Sequence, residues 1–186
     1  MPDKLLFLDT ETGGLDPGKH SLLSLAMVLW EDMEITDAKE ILINDGLLSV
    51  TKEALSINKI DIEKHRQAAV SSSRAMDEIL LFTGKHFPGP GKITLAGHNV
   101  HFDANFMKSF FSANNKDFSV FFSHRIIDTS SILNYLYLAG IIKQRAISSD
   151  EAFSLFDIRV RGRHTAMGDA IAAAELFTRL LHLLRK

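Results

Sequence analysis

Residues 4–9, KLLFLD, form an almost unbroken apolar run that stops abruptly at polar residues. A strand buried on both faces has this pattern, so this segment is expected at the centre of a sheet. Two further strand-like stretches, Leu22–Glu31 and Ala38–Asn44, are separated by the polar EDMEITD and predict a hairpin or meander. Helix-compatible spacing of apolar residues then covers Thr51–Gln67 and Ser73–His86, until FPGPGK breaks the chain ahead of a strand ITLAGHN. His101–Ala113 reads as a helix, HRIID as a short strand and Ser130–Ala139 as another helix. The last helix, Thr165–Leu184, carries apolar residues at 166, 167, 170, 173, 174, 177, 180, 181 and 184, a stripe down one side. Antiparallel strands first and strand–helix alternation afterwards predict an α/β fold, a mixed sheet with helices on its faces. No repeat, low-complexity tract or linker divides residues 1–186, which are expected to form one domain.

Composition narrows the chemistry. With no cysteine, thiolate metal sites and disulfides are excluded, and a reducing cytoplasm is the simplest setting. The longest apolar stretch, Leu22–Trp30, is far short of the roughly 20 residues that span a bilayer, so no membrane association is expected. Lys and Arg number 21 against 23 Asp and Glu, which argues against a protein that wraps a long duplex by neutralising many phosphates. Any contact with nucleic acid should be short and local.

Several acids occupy positions where apolar neighbours are expected. Asp9 and Glu11 lie two apart at the end of the first strand, so strand alternation points both to one side and Thr10 to the other. Two carboxylates sharing a face repel and lose solvation, a cost that a divalent cation removes. A turn residue followed by a solvated charge would give the same D-x-E. Asp103 opens the helix HFDANFMKSFF beside Phe106 and Met107, and Asp169 lies between Ala166 and Ala170 in a helix whose Gly168 and alanines permit close approach of another backbone. Both also suit a first helical turn, where acids meet the positive end of the helix dipole. Five residues separate His164 from Asp169, about 140° of helical rotation, so His164 is expected to precede the helix with Thr165 as its N-cap.

Taken together, FLDTETGGLDP, GHNVHFDANFM and RHTAMGDA resemble, in order and spacing, the three motifs of the DEDD superfamily of 3′–5′ exonucleases, histidine subtype. That family includes polymerase proofreading subunits, ribonuclease T and oligoribonuclease. The resemblance runs from Asp9 to Asp169 and implies a ribonuclease-H-like three-layer fold with a mixed five-stranded sheet. It implies Asp9, Glu11, Asp103 and Asp169 as metal ligands and His164 as general base. It also implies substrate contacts at Thr12, Gly13, Gly14, Leu15, Asn99 and Phe102, with Leu15 as a wedge against the terminal bases. Asp128, in IIDTS, matches a supporting position and not a ligand. The glycine after Thr12 and the segment SINKI depart from many family members and leave the choice between DNA and RNA open. Hard oxygen ligands select Mg²⁺ or Mn²⁺, and two ions about 3.5–4 Å apart can activate water and stabilise the departing 3′ oxygen. A histidine can take the water's proton, releasing a nucleoside 5′-monophosphate from a single-stranded 3′ end.

Other features carry less. FPGPGKI lacks the first glycine and the Ser or Thr of a phosphate-binding P-loop. Arg159, Arg161 and Arg163 alternate before His164 and, if extended, would project together towards phosphates or into solvent. Phe102, Phe106, Phe110 and Phe111 could stack on bases, but their helical spacing points to core packing. With Lys186 directly after the last helix, a free-standing exonuclease is favoured over a subunit bound to a DNA polymerase. A catalytically silent binding module is disfavoured by the intact acids and histidine.

Overall fold

A computed structural model describes residues 4–185. In chain order its elements are β1 (Lys4–Thr12), β2 (Leu22–Glu31), β3 (Glu34–Asn44), α1 (Lys52–Asn58), α2 (Ile62–Ala68), β4 (Val70–Ser71), α3 (Ser72–His86), β5 (Ile93–Gly97), α4 (His101–Ala113), α5 (Phe118–Phe121), β6 (Phe122–Asp128), α6 (Thr129–Leu138), α7 (Ser149–Leu155) and α8 (Ala166–Leu184). The sheet has the order β4-β3-β2-β1-β5-β6. β1 to β3 are antiparallel, whereas β5 lies parallel to β1 and β6 parallel to β5. This is the expected mixed α/β sheet, with one strand more than five because the two-residue β4 pairs with the end of β3.

The apolar run of β1 serves two cores. Leu6 and Leu8 pack with Met76, Ile79, Phe106, Met107 and Phe111 from α3 and α4. Leu5 and Phe7 face the other way, against Ala166, Ala170, Ala173, Ala174 and Phe177 of α8. A third cluster ties α6 and α7 to the outer side of α8 through Leu133, Leu136, Phe153, Leu176 and Leu180. A strand filled on both sides fixes the level at which its polar end emerges, and that level is where the functional side chains lie.

Two expectations need correction. β3 begins at Glu34 and not at Ala38, because the hairpin turn needs only Asp32 and Met33, both at positive φ (52° and 75°). The segment Thr51–Gln67 is two helices and not one: Lys59 takes a left-handed conformation (φ 56°) and the Asp61 side chain caps a new start. α7, to which the sequence pattern assigned no element, is a seven-residue helix capped by Ser148, with Ala152 and Phe153 buried. Thr165 caps α8 as expected, its hydroxyl accepting from the N–H of Gly168 at 3.1 Å. No helix among the described residues is long and apolar enough to cross a membrane.

Candidate active site

Strand alternation carries along β1 as far as Glu11, after which the register with β2 shifts. The positions after Leu5 and Phe7 on the α8 side are Asp9 and Glu11, and the one after Leu6 and Leu8 on the α4 side is Thr10. Asp169, in the first turn of α8, completes a group in which Asp9, Glu11 and Asp169 each offer an oxygen within 4.8 Å of the others. Asp103 is not part of that group. It is buried at the start of α4, and its Oδ1 accepts a 2.6 Å hydrogen bond from the Thr10 hydroxyl, which points to the other face of the strand. Three of the four acids therefore meet on one side of β1, and the fourth approaches from the other.

The cost of this arrangement shows in the carboxyl groups. Burial, and then the charges of Asp103, Asp169 and Glu11, hold the Asp9 carboxyl well above the usual carboxylate range. Burial followed by Asp169 and Asp103 pushes Glu11 up to about 8. Burial pushes Asp103 up to about 7 despite the Thr10 hydrogen bond, and raises Asp169 against the pull of Arg163. One oxygen of Asp169, Oδ1, is buried without a hydrogen-bond partner. A buried, unpartnered carboxylate oxygen beside two more acids is a defect in a protein core and an asset in a cation site. All the donors are hard carboxylate oxygens, which fit Mg²⁺ or Mn²⁺.

Two clefts open on either side of Glu11. One, of about 470 Å³, is lined by Thr10, Glu11, Thr12, Gly14, Leu15 and Phe102 together with Thr51, Ile57 and Asn58 of the α1 segment. Leu15 stands 85% exposed at its rim, an isolated apolar side chain with no core to join. The other cleft, of about 360 Å³, is lined by Glu11, Glu40, Lys64 and His65 among others, and by His164. His164 precedes α8 in a left-handed conformation (φ 62°), outside the helix, as its spacing from Asp169 requires.

Gly13 and Asn99 stand outside both clefts. Gly13 is pressed between strands of loop: its N–H donates to Ser21 O at 2.8 Å, its carbonyl accepts from Thr51 N–H at 2.6 Å, and a Cβ would lie 2.0 Å from Ser49 O. It thereby fastens the end of β1 to the start of α1, which forms a wall of the larger cleft. Asn99 is exposed at positive φ (59°), with its N–H donating to Asp128 Oδ1 at 2.7 Å. Asp128 also caps α6, in keeping with a supporting role.

Sequence reasoning missed His20, Ile57, Asn58 and the course of Arg163. His20 lies against Gly14 and receives the Asp16 N–H on Nδ1 at 3.0 Å. Asn58 is buried, with Nδ2 donating to Thr12 O at 3.2 Å. Nothing in local periodicity links residues 12 and 58. Arg159 and Arg161 are exposed, but Arg163 does not project with them, because Gly162 (φ 74°) turns the chain between them. The Arg163 guanidinium instead donates to Asp169 Oδ2, to Asp150 Oδ1 at 2.6 Å and to Ser149 Oγ at 2.7 Å.

Comparison with known proteins bears on the family and the fold. A family model, RNase_T, described as Exonuclease, matches residues 6–177. Ribonuclease T of Wigglesworthia glossinidia brevipalpis is 26% identical over 96% of this chain and 85% of its own length. A PolC-type DNA polymerase III of Thermotoga petrophila is 25% identical over 96% of this chain, which spans only 12% of that protein. Among solved structures, E. coli exonuclease I in complex with a dT13 oligonucleotide superposes with a TM-score of 0.80 at 16% identity, covering 98% of this chain and 43% of that one.

Proposed function

The chain belongs to the RNase_T exonuclease family, a 3′–5′ exonuclease of DEDD type, and from that premise we propose that it removes nucleoside 5′-monophosphates one at a time from single-stranded 3′ ends. The observation that carries this reading is the meeting of Asp9, Glu11 and Asp169, with a buried unpartnered oxygen, where Glu11 also lines a cleft large enough for a nucleotide. Asp9, Glu11, Asp103 and Asp169 would hold divalent Mg²⁺ or Mn²⁺, the first, second and fourth as one group and Asp103 close enough for its charge to raise Asp9 and Glu11. When bound, such ions polarise the phosphodiester and offset the charge that develops on the attacking and departing oxygens.

The chain's own residues divide the remaining tasks. Leu15 and Phe102 offer apolar surface to the terminal base, and the α1 wall closes the pocket behind it. Glu11 separates the nucleotide cleft from the cleft of His164, so a water between them can give its proton to the His164 imidazole as it attacks phosphorus. The formal charge of −2 offers no broad electrostatic track along a duplex, in keeping with recognition of an end.

The test is to incubate the protein with 5′-labelled single-stranded DNA and RNA, with Mg²⁺ or Mn²⁺, and follow the product ladder. A descending ladder in steps of one nucleotide, abolished by chelator, is expected, and the faster substrate identifies the nucleic acid. Internal cleavage of a closed circular single strand would contradict the reading.

A further inference from the structure

Arg163 is the one cation in hydrogen-bonding contact with the acidic group among the described residues, and its surroundings are built. Gly168 has no side chain where α8 begins; a Cβ there would stand 2.3 Å from Gly162 O and 2.5 Å from Arg161 O. The loop therefore lies directly on the first turn of α8, fastened by the Thr165 hydroxyl donating to Gly162 O at 2.6 Å. From this turn the Arg163 side chain reaches Asp150 and Ser149 on α7 with two nitrogens, and its carbon lies 5.8 Å over the ring of Phe153. α7 is itself anchored, since Ala152 and Phe153 pack with Leu176 and Leu180 on the outer side of α8. The guanidinium is thus held at a fixed place by a buried unit, and its remaining nitrogen grips Asp169 Oδ2 while Oδ1 stays unpartnered.

We propose that Arg163 is a positioning residue for the metal site: braced by Asp150 and Ser149, it holds one oxygen of Asp169 so that the other is presented to the cation shared with Asp9 and Glu11. The proposal rests on the metal reading given above. It makes α7 part of the active site, although none of its residues lines either cleft. A fork that grips a carboxylate through directed bonds has a signature that separates it from charge alone. Removing a nearby positive charge would by itself strengthen cation binding, whereas removing an orienting hydrogen bond from a ligand weakens it, by about 10–100-fold. Lysine keeps the charge, but its three donors share one nitrogen and cannot span the partners that the separate nitrogens of the guanidinium fork reach.

The experiment is Mn²⁺ titration of the full chain without substrate, reading free Mn²⁺ by electron paramagnetic resonance, for wild type, Arg163→Gln, Arg163→Lys and Asp150→Ala, with a melt of each as a folding control. Weakening of about 10–100-fold in Arg163→Gln, nearly as much in Arg163→Lys and less in Asp150→Ala is expected. Arg163→Gln binding Mn²⁺ as tightly as wild type, or more tightly, would overturn the positioning role. Lysine restoring full affinity would overturn it too, by reducing Arg163 to a charge. Should Arg163→Gln fail to fold, Asp150→Ala, which removes the acceptor that asparagine would keep, decides alone: unchanged affinity rejects the brace. Wild type that binds no Mn²⁺ would reject the metal reading itself, an outcome separate from the others.

Discussion

The two ends of β1 handle charge in opposite ways. At its start Lys4 pairs with Glu31 of β2 at 3.2 Å, both partly exposed, and nearby on β3 Asp37 meets Lys85 and His86 at 2.9 Å each, which lowers its carboxyl below the ordinary range. At its end Asp9 and Glu11 face Asp169 and each other, with Arg163 as partner to Asp169, and every carboxyl in the group is raised. The same strand that balances its charges at one end concentrates them at the other. Paired surface charges modestly favour the fold, whereas a like-charged cluster in a buried setting persists where a ligand of opposite charge compensates it.

The contrast can be broken most sharply at Asp9. Asp9→Ala should leave a folded protein with no detectable turnover in the ladder assay, and retained shortening of the oligonucleotide would remove Asp9 from the cation site. His164→Ala comes next: turnover should fall by about 10²–10⁴-fold with Mn²⁺ affinity nearly unchanged, because His164 lies outside the acidic group. Simultaneous loss of metal would instead make His164 a ligand. A smaller effect is expected of Leu15→Ala, which removes an exposed apolar side chain that only substrate can cover. KM should rise roughly tenfold with little change in kcat, about 1–2 kcal/mol of lost burial; steady-state kinetics on a short oligonucleotide checks this. At the opposite end of the strand, Lys4→Ala should leave activity intact and lower stability by no more than about 0.2–1 kcal/mol, measured by denaturant melts.

The sequence made the charged end of β1 legible because it broke a local rule: an apolar strand ended in acids two apart, so alternation put both on one face. The α8 stripe, its Thr165 cap and the permissive Gly168 could be read for similar reasons, and only the structure shows that the backbone packed on Gly168 is the loop of Arg161 and Gly162. The brace behind Asp169 was not legible. Asp150 stands 13 residues from Arg163 in a helix of seven residues, too short for a periodic signal, and the alternation of Arg159, Arg161 and Arg163 pointed to a shared direction that the turn at Gly162 breaks. The split at Lys59 was hidden too, since apolar spacing continues through it and only backbone conformation records the break. That split closes the larger cleft by placing Asn58 under Thr12, a contact between residues 46 apart.

The acids at the end of β1 are proposed to hold a divalent cation, and a melt as a function of pH with and without Mn²⁺ tests this most directly. Glu11 is raised from 4.5 to about 8. Across that window the folded, metal-free protein holds protons that the unfolded chain has released, so its stability falls as pH rises through it. Mn²⁺ is expected to bind the folded, ionised cluster, and at about 100 times its Kd would add about 2.7 kcal/mol, or roughly 5–10 °C for a chain of this size. The account predicts a metal-free Tm that declines from about pH 5 to about pH 8, a flatter decline in Glu11→Gln, and recovery by Mn²⁺ that is largest at the alkaline end. A wild-type Tm unmoved by Mn²⁺ at about pH 8, with the same pH slope in wild type and Glu11→Gln, would contradict it.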